Sequence, residues 1–261
     1  MTGAEDSPRT ADGPEAAAER ALAVEHSWYH SIELPGGALT PGKVDLRRQA
    51  PKILPDDLAG ARALDVGTFD GFWAFELERR GAEVVAIDLD EPQSLEGPPL
   101  TRELAHSRAR EIDLELGRGF RLAADALGSK VERRELNVYD VSPETIGGPV
   151  DLIFIGALLL HLRDPVGALE RLHETLAPGG RLISLEPVSL RETLRAPRTP
   201  LARLEATSTL FNWWHPNRAA HLSMAVAAGF PEVRSLGVHR PRQQRPMKGW
   251  MHALSARRAD G

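Results

Sequence analysis

The chain has 261 residues, a formal net charge of −5, no cysteine and a hydrophobic fraction of 42%. That length suits one large α/β domain. The missing cysteine excludes disulfides, a cysteine nucleophile and a cysteine-held iron–sulfur cluster. No run of about twenty apolar residues is present to span a membrane. No basic segment leads into an apolar core as a secretory signal does, so a cytoplasmic protein is expected.

The charge is uneven: residues 1–25 carry −4, residues 26–186 carry −9 and residues 187–261 carry +8. A basic C-terminal third either faces an anionic substrate or RNA, or is simply solvated surface. Arginine supplies 28 of the 32 basic residues, a hint of a GC-rich bacterial genome.

Residues 1–21 offer little to bury, and their composition predicts a disordered tail. Residues 22–50 read as an N-terminal lid segment. Leu22 to Tyr29 is expected to be helical, and Trp28-Tyr29-His30 leads into two turn signals, Pro35-Gly36-Gly37 and Thr40-Pro41-Gly42. The aromatic cluster either closes over a ligand or seals an edge of the core. The main domain then occupies residues 51–261.

The organising stretch is Arg62 to Phe72. Ala63, Leu64 and Val66 read as a buried strand, Gly67 to Gly71 as a turn, and Phe72 to Arg80 as a helix stopped by Gly81. A glycine-rich strand-to-helix turn lets a ligand approach the backbone closely, with the first helical N–H groups pointing at it. The spacing departs from the dinucleotide fingerprint, because Phe69 takes the place of the middle glycine. The acid at Asp65 would repel a pyrophosphate but suits an ammonium group. Glu83 to Asp88 reads as a second strand ending in an acid that can take both ribose hydroxyls. Two such acids on one sheet edge describe a site for S-adenosylmethionine.

Residues 91–119 are long for a strand-to-helix connection and read as an insertion near the ribose end, with a helix from Thr101 to Glu115. Phe120 to Leu127 is a helix stopped by Gly128, and Val131 to Val138 a third strand. Val150 to Gly156 is a near-continuous apolar run, as in a parallel strand buried on both faces. Asp164-Pro165 opens a helix through Leu176. Pro178-Gly179-Gly180 ends it, and Arg181 to Leu185 is a fifth strand. Residues 190–215 form a second insertion over the same edge. Asn217 to Ala228 reads as a helix, with strands from Val233 to Val238 and from Trp250 to Ala256. Alternating strands and helices predict a doubly wound, mostly parallel α/β sheet that binds ligands at its carboxyl edge.

Asp65-Val66-Gly67-Thr68-Phe69-Asp70-Gly71, Ala86-Ile87-Asp88 and Leu158 to Pro165 together resemble the class I S-adenosylmethionine-dependent methyltransferases. The resemblance covers roughly residues 50–190. It implies a seven-stranded Rossmann-like sheet with a final antiparallel hairpin. The implied cofactor residues are Asp65, Gly67, Thr68, Phe69, Gly71, Asp88, Leu89, Val138 and Gly156. Asn137, Tyr139 or Asp140 would meet the adenine.

Trp28 to Leu34, Thr40-Pro41-Gly42 and Asn212 to Asn217 further resemble the branch that includes tRNA wobble-uridine carboxymethyltransferases. That branch uses a carboxylated cofactor held by basic and tyrosine side chains. Here Leu160 stands where it has a tyrosine, and no lysine precedes Trp28, so ordinary S-adenosylmethionine is expected.

His161 is the first candidate base, since its unperturbed pKa lies near working pH; His30 and His215 are rivals. Glu186 would orient one of them or bind substrate. Trp28, Tyr29, Trp213 and Trp214 are candidates for stacking on a planar acceptor. No cluster has metal-ligand spacing. Three functions stay open: methylation of a small planar molecule at O or N, modification of tRNA, and a non-catalytic cofactor-binding role.

Overall fold

Strand Arg62–Val66 (β1) lies inside a seven-stranded sheet in the computed structural model, which describes residues 13–111, 114–243 and 249–260. The other strands are Glu83–Asp88 (β2), Glu132–Glu135 (β3), Val150–Gly156 (β4), Leu176–Val188 (β5), Glu232–His239 (β6) and Trp250–Arg257 (β7). Their spatial order is β3-β2-β1-β4-β5-β7-β6. The first five strands in sequence run parallel, and β7 inserts antiparallel between β5 and β6. Strand order reverses beside β1, which opens a crevice at the carboxyl ends of β1 and β4.

Helices Pro14–Ala23 (α1), Phe72–Arg79 (α2), Arg102–Glu111 (α3), Arg118–Leu127 (α4), Pro165–Thr175 (α5) and Arg218–Ala227 (α6) complete the main frame. Alternate residues of β4 feed two cores. Leu152 and Phe154 pack with Trp73, Phe75 and Phe120 on one face, while Ile153 and Ile155 pack with Leu169, Leu172 and Ala225 on the other. A strand buried on both faces needs an unbroken apolar run, which is why β4 shows no polar alternation.

Several boundaries differ from the sequence expectation. The helix α1 occupies part of the stretch expected to be disordered; residues 1–12 lie outside the described residues. Ala17, Ala18 and Ala21 form a small apolar face that packs against α4. Alanines carry little hydrophobic weight, yet they let two helices approach closely and favour helix strongly. The helix expected from Leu22 to Tyr29 is not formed, because Val24 caps α1 in an extended conformation. The helix expected from Thr101 to Glu115 is the shorter α3, with Leu104 exposed and Ile112 outside the described residues. β3 stops at Glu135, and Asn137 instead caps a 3₁₀ turn, Val138–Asp140, by accepting from the Tyr139 N–H at 3.1 Å. α5 stops at Thr175, so Pro178-Gly179-Gly180 lies within β5, where the register with β4 shifts.

Residues 24–49 form a strap over the carboxyl edge. The Ile32 N–H donates to Thr40 Oγ1 at 2.8 Å, and the Thr40 hydroxyl donates to the His30 carbonyl at 2.7 Å. A Cβ on Gly42 would stand 2.1 Å from the His30 carbonyl carbon, so only glycine fits this close approach. The strap also pairs Val44–Asp45 with Arg242–Gln243. Among the described residues no helix is long and apolar enough to cross a membrane.

Candidate active site

The carboxyl ends of β1, β2 and β4 open on a cavity of about 280 Å³. Asp65, Gly67 and Phe69 line it from the end of β1, Asp88 and Leu89 from the end of β2, and Gly156 from the end of β4. Asn137 and Val138 enter from the turn after β3, and His161 from the turn after β4. Tyr29 and His30 enter from the strap. Three non-glycine residues have positive φ among the described residues, Phe69, Ala157 and Phe211, and all three line this cavity. Backbone held in that sparsely populated region concentrates at functional sites, where the fold over-determines it.

At one end the polar groups are acids. Asp65 is buried, its Oδ2 has no partner, and burial pushes its carboxyl up to about 7. Asp88 accepts from the Phe69 N–H at 2.7 Å and from the Leu89 N–H at 2.8 Å, one on each oxygen. Those bonds fix the carboxylate in the strand-end plane while each oxygen keeps a lone pair. Burial raises the Asp88 pKa against those two donors.

The rest of the lining is mostly apolar and carries two histidines: Trp73, Leu158, Leu162, Leu116 and Phe211 contribute apolar walls, with Ser94 and Glu96 among the polar members. The His161 Nδ1–H donates to the Phe211 carbonyl at 3.3 Å, which leaves Nε2 as the acceptor nitrogen. Burial lowers the His161 pKa, so the ring is neutral at neutral pH. His30 stacks on Phe72 at 5.7 Å, and burial lowers it to about 4. Its Nδ1 has no partner. Burial and the nearby Glu186 and Asp70 carboxylates push Tyr29 up to about 12, so its hydroxyl stays protonated.

Comparison with known proteins supplies a family for this geometry. The family described as "Methyltransferase domain" matches residues 43–230. The chain belongs to the S-adenosylmethionine-dependent methyltransferases. A ubiquinone biosynthesis O-methyltransferase of Xylella fastidiosa is 30% identical over 167 residues, covering 63% of this chain and 56% of that protein. The chain thus spans little more than half of that relative. The N-terminal domain of EvdMO1, solved with SAH bound, superposes with a TM-score of 0.58 at 18% identity over 95% of this chain and 98% of that one. The 1,6-didemethyltoxoflavin-N1-methyltransferase of Burkholderia thailandensis superposes with a TM-score of 0.50 at 18% identity, over 77% of this chain and 72% of that one.

The cofactor of this methyltransferase family fits the acidic end. The unpartnered Asp65 oxygen suits an ammonium, and the free lone pairs of Asp88 suit two ribose hydroxyls. The apolar walls near Asn137 and Val138 suit a purine.

Not every residue singled out in the sequence reaches the cavity. Thr68 and Gly71 do not line it. Gly71 has φ +89° and a Cβ there would stand 2.5 Å from the Phe75 ring, so glycine is what seats α2 against that ring. Trp28 is buried in the core against His26, with ring centroids 4.9 Å apart. The Trp214 indole N–H donates to the Leu162 carbonyl at 3.1 Å. The Trp213 ring lies 5.9 Å from the Arg163 guanidinium, and its backbone N–H donates to Leu160 at 2.7 Å. His215 pairs with Arg203 in a small hairpin. Trp213 and Trp214 thus bond to the turn after β4 through a backbone and an indole N–H, and none of the three lines the cavity.

Glu186 stands behind that turn. Its Oε1 accepts from the Leu158 and Leu159 N–H groups at 3.0 and 3.2 Å, while Oε2 has no partner, and burial pushes its carboxyl up to about 8. It shapes the turn that carries His161 and does not line the cavity.

Phe211, Leu116 and Ala157 line the cavity without having been singled out in the sequence. Phe211 comes from the second insertion, which meets the first where the Thr101 hydroxyl donates to the Ser208 carbonyl at 2.6 Å and His106 meets Phe211 at 5.4 Å. That inter-insertion packing has no short-range sequence signal.

Proposed function

We propose that the protein transfers a methyl group from S-adenosylmethionine to an oxygen or nitrogen of a small planar molecule, with His161 as the general base. The carrying observation is His161 in the wall of the cavity that Asp65 and Asp88 also line, its Nδ1–H held by the Phe211 carbonyl and its Nε2 left to accept; burial lowers its pKa. Methyl transfer from a sulfonium is an in-line displacement, so positioning supplies much of the acceleration. Bound there, S-adenosylmethionine would supply the methyl group, its sulfur keeping the bonding electron pair as a neutral thioether, and the acceptor's proton passes to His161 Nε2. A dry, mostly apolar chamber with few polar groups is typical of small-molecule sites. Tyr29 stays protonated and serves as a hydrogen-bond donor to the acceptor. The names of two relatives support this reading, since one is an O-methyltransferase and the other an N1-methyltransferase.

The donor carries an ordinary methyl group, because Leu160 precedes His161 and offers no hydroxyl for a carboxylated cofactor. A panel of phenols, catechols and nitrogen heterocycles, assayed with labelled S-adenosylmethionine and read by a 14-dalton mass gain (roughly one CH₂ added), tests the class. Activity confined to tRNA, falling steeply with salt, would overturn it and return the basic C-terminal third to the role of RNA surface.

A further inference from the structure

Asp70 follows Phe69 in the cofactor loop, yet its side chain turns away from the cavity that Phe69 lines. It is buried, and one oxygen, Oδ2, accepts from the Tyr29 N–H at 2.6 Å and the His30 N–H at 3.0 Å. The other oxygen stands 3.5 Å from His26 Nε2. The two residues it holds are the strap residues that line the cavity.

The strap is a stiff body around this point. Thr40 ties Ile32 to His30, the Ser31 N–H donates to the Val44 carbonyl at 2.9 Å, and Gly42 packs against the His30 backbone. On the other side, Asp88 holds the Phe69 N–H, and the Phe69 ring meets the Tyr29 ring at 5.5 Å. A continuous path therefore runs from the acid that takes the ribose, through one residue of positive φ, to the roof of the acceptor end.

We propose that Asp70 is a positioning residue that latches this roof to the cofactor loop, so that loading the cofactor fixes Tyr29 and His30 over the acceptor end. The inference rests on the cofactor reading of the cavity and not on which residue is the base. A buried carboxylate accepting two backbone N–H groups makes strong, directional bonds. Without it these two donors, largely buried, would lose their partner. Without the latch the strap keeps its internal ties, but its height above the cavity is set by apolar contact alone.

The test uses the full chain with S-adenosylhomocysteine as the probe. Amide exchange at Tyr29 and His30 is measured with and without the probe, and probe affinity is measured by calorimetry. In the wild type, the probe should slow exchange at both amides. Asp70→Ala should speed their exchange by about tenfold or more and abolish the response to the probe. The Ile32 amide, bonded to Thr40, should change little and reports that the strap remains folded. Asp70→Asn keeps an oxygen that can accept both N–H groups and should restore most of the protection. Probe affinity should stay within about threefold in both variants, since Asp70 does not line the cavity. Unchanged exchange in Asp70→Ala, or an equal response to the probe with and without the carboxylate, would overturn the latch. Neither result bears on His161, whose role is read by turnover.

Discussion

Two sets of buried polar side chains sit on the same sheet and are built in opposite ways. At the carboxyl edge, Asp65 Oδ2, His30 Nδ1 and Glu186 Oε2 are buried without a partner. In the β5–β6–β7 half, every ring nitrogen of a histidine pair is used. Ser184 Oγ lies 2.9 Å from His221 Nε2, His221 Nδ1 lies 2.9 Å from His252 Nδ1, and His252 Nε2 lies 2.8 Å from Ser235 Oγ. A neutral histidine has one donor and one acceptor, so the Nδ1–Nδ1 contact closes only while at least one of the two rings is neutral and lends its acceptor. Burial lowers His221 well below its ordinary value and His252 to about 4, which keeps them neutral. Burying a polar atom without a partner costs free energy. The fold tolerates that cost at one edge and avoids it at the other. At the open edge a ligand can complete the pairing of Asp65 and His30, which line the cavity, and the closed relay is architecture.

The sharpest break of this comparison is kinetic. His161→Ala should lower turnover by about 10²–10⁴ and leave affinity for S-adenosylhomocysteine nearly unchanged. His252 is fully buried, yet its loss should leave turnover of the folded fraction unaltered. In the wild type, kcat should rise with pH through a pKa below the usual histidine value and then stay flat, because only neutral imidazole accepts the proton. Stopped-flow single turnovers across pH 4–9, together with calorimetry, read all three. Near-full activity in His161→Ala would pass the role to His30.

The acidic edge is probed next. Asp88→Ala should weaken both S-adenosylmethionine and its demethylated product by about 1.5–3 kcal/mol, through lost charge-assisted hydrogen bonds. The free protein should lose little stability, since the Phe69 and Leu89 N–H groups lie near the water-accessible cavity. Equal affinity for variant and wild type would remove Asp88 from the cofactor site.

The contrast between the two regions also explains what the sequence could reveal. β1, β2 and β4 were legible because their apolar runs and the glycine turn are local patterns, and Asp65 and Asp88 follow from their strand ends. His161 was legible as the residue after the fourth strand. The roles of Trp28, Trp213 and Trp214 were not, because an aromatic residue reads alike whether it lines a cavity or braces a loop from behind. Phe211 and Asp70 act through contacts to segments roughly 40 or more residues away, at His161 and Tyr29. No periodicity reports such pairs. The helix α1 was missed because its buried face is alanine, which composition counts as weak.

The relay makes a stability prediction with a definite sign. The folded pKa of His252 is depressed, so the unfolded chain binds more protons between about pH 4 and pH 6.5. Stability should therefore be full above pH 6.5 and fall as pH drops through that window. His252→Ala should cost about 2–3 kcal/mol at pH 7, because it leaves His221 and Ser235 each short of a partner. It should also flatten the acid side of the profile. Urea titrations at stepped pH would show this; an unchanged slope between pH 4 and 6.5 would mean the pair does not titrate with folding.

The smallest effect has the opposite sign and lies at the open edge. Asp65 has a folded pKa of about 7, above its ordinary 3.8, so the folded state binds more protons than the unfolded chain between those values. By linkage its contribution is most favourable below pH 3.8 and is lost as pH rises through about 7. Asp65→Asn removes the buried charge while keeping shape and a hydrogen-bonding amide. Without cofactor it should therefore raise Tm by about 2–6 °C at pH 8 and by progressively less toward pH 4. With saturating S-adenosylmethionine the order should invert, because the ammonium that offsets the Asp65 charge finds no anion in the variant. Calorimetric scans of both proteins, with and without ligand, give four curves whose crossing tests one statement: the carboxylate is kept at a cost to the free protein because the cofactor needs it. If Asp65→Asn lowers Tm at pH 8 in the free protein, the acid is structural, and the comparison between the two edges fails at its most specific residue.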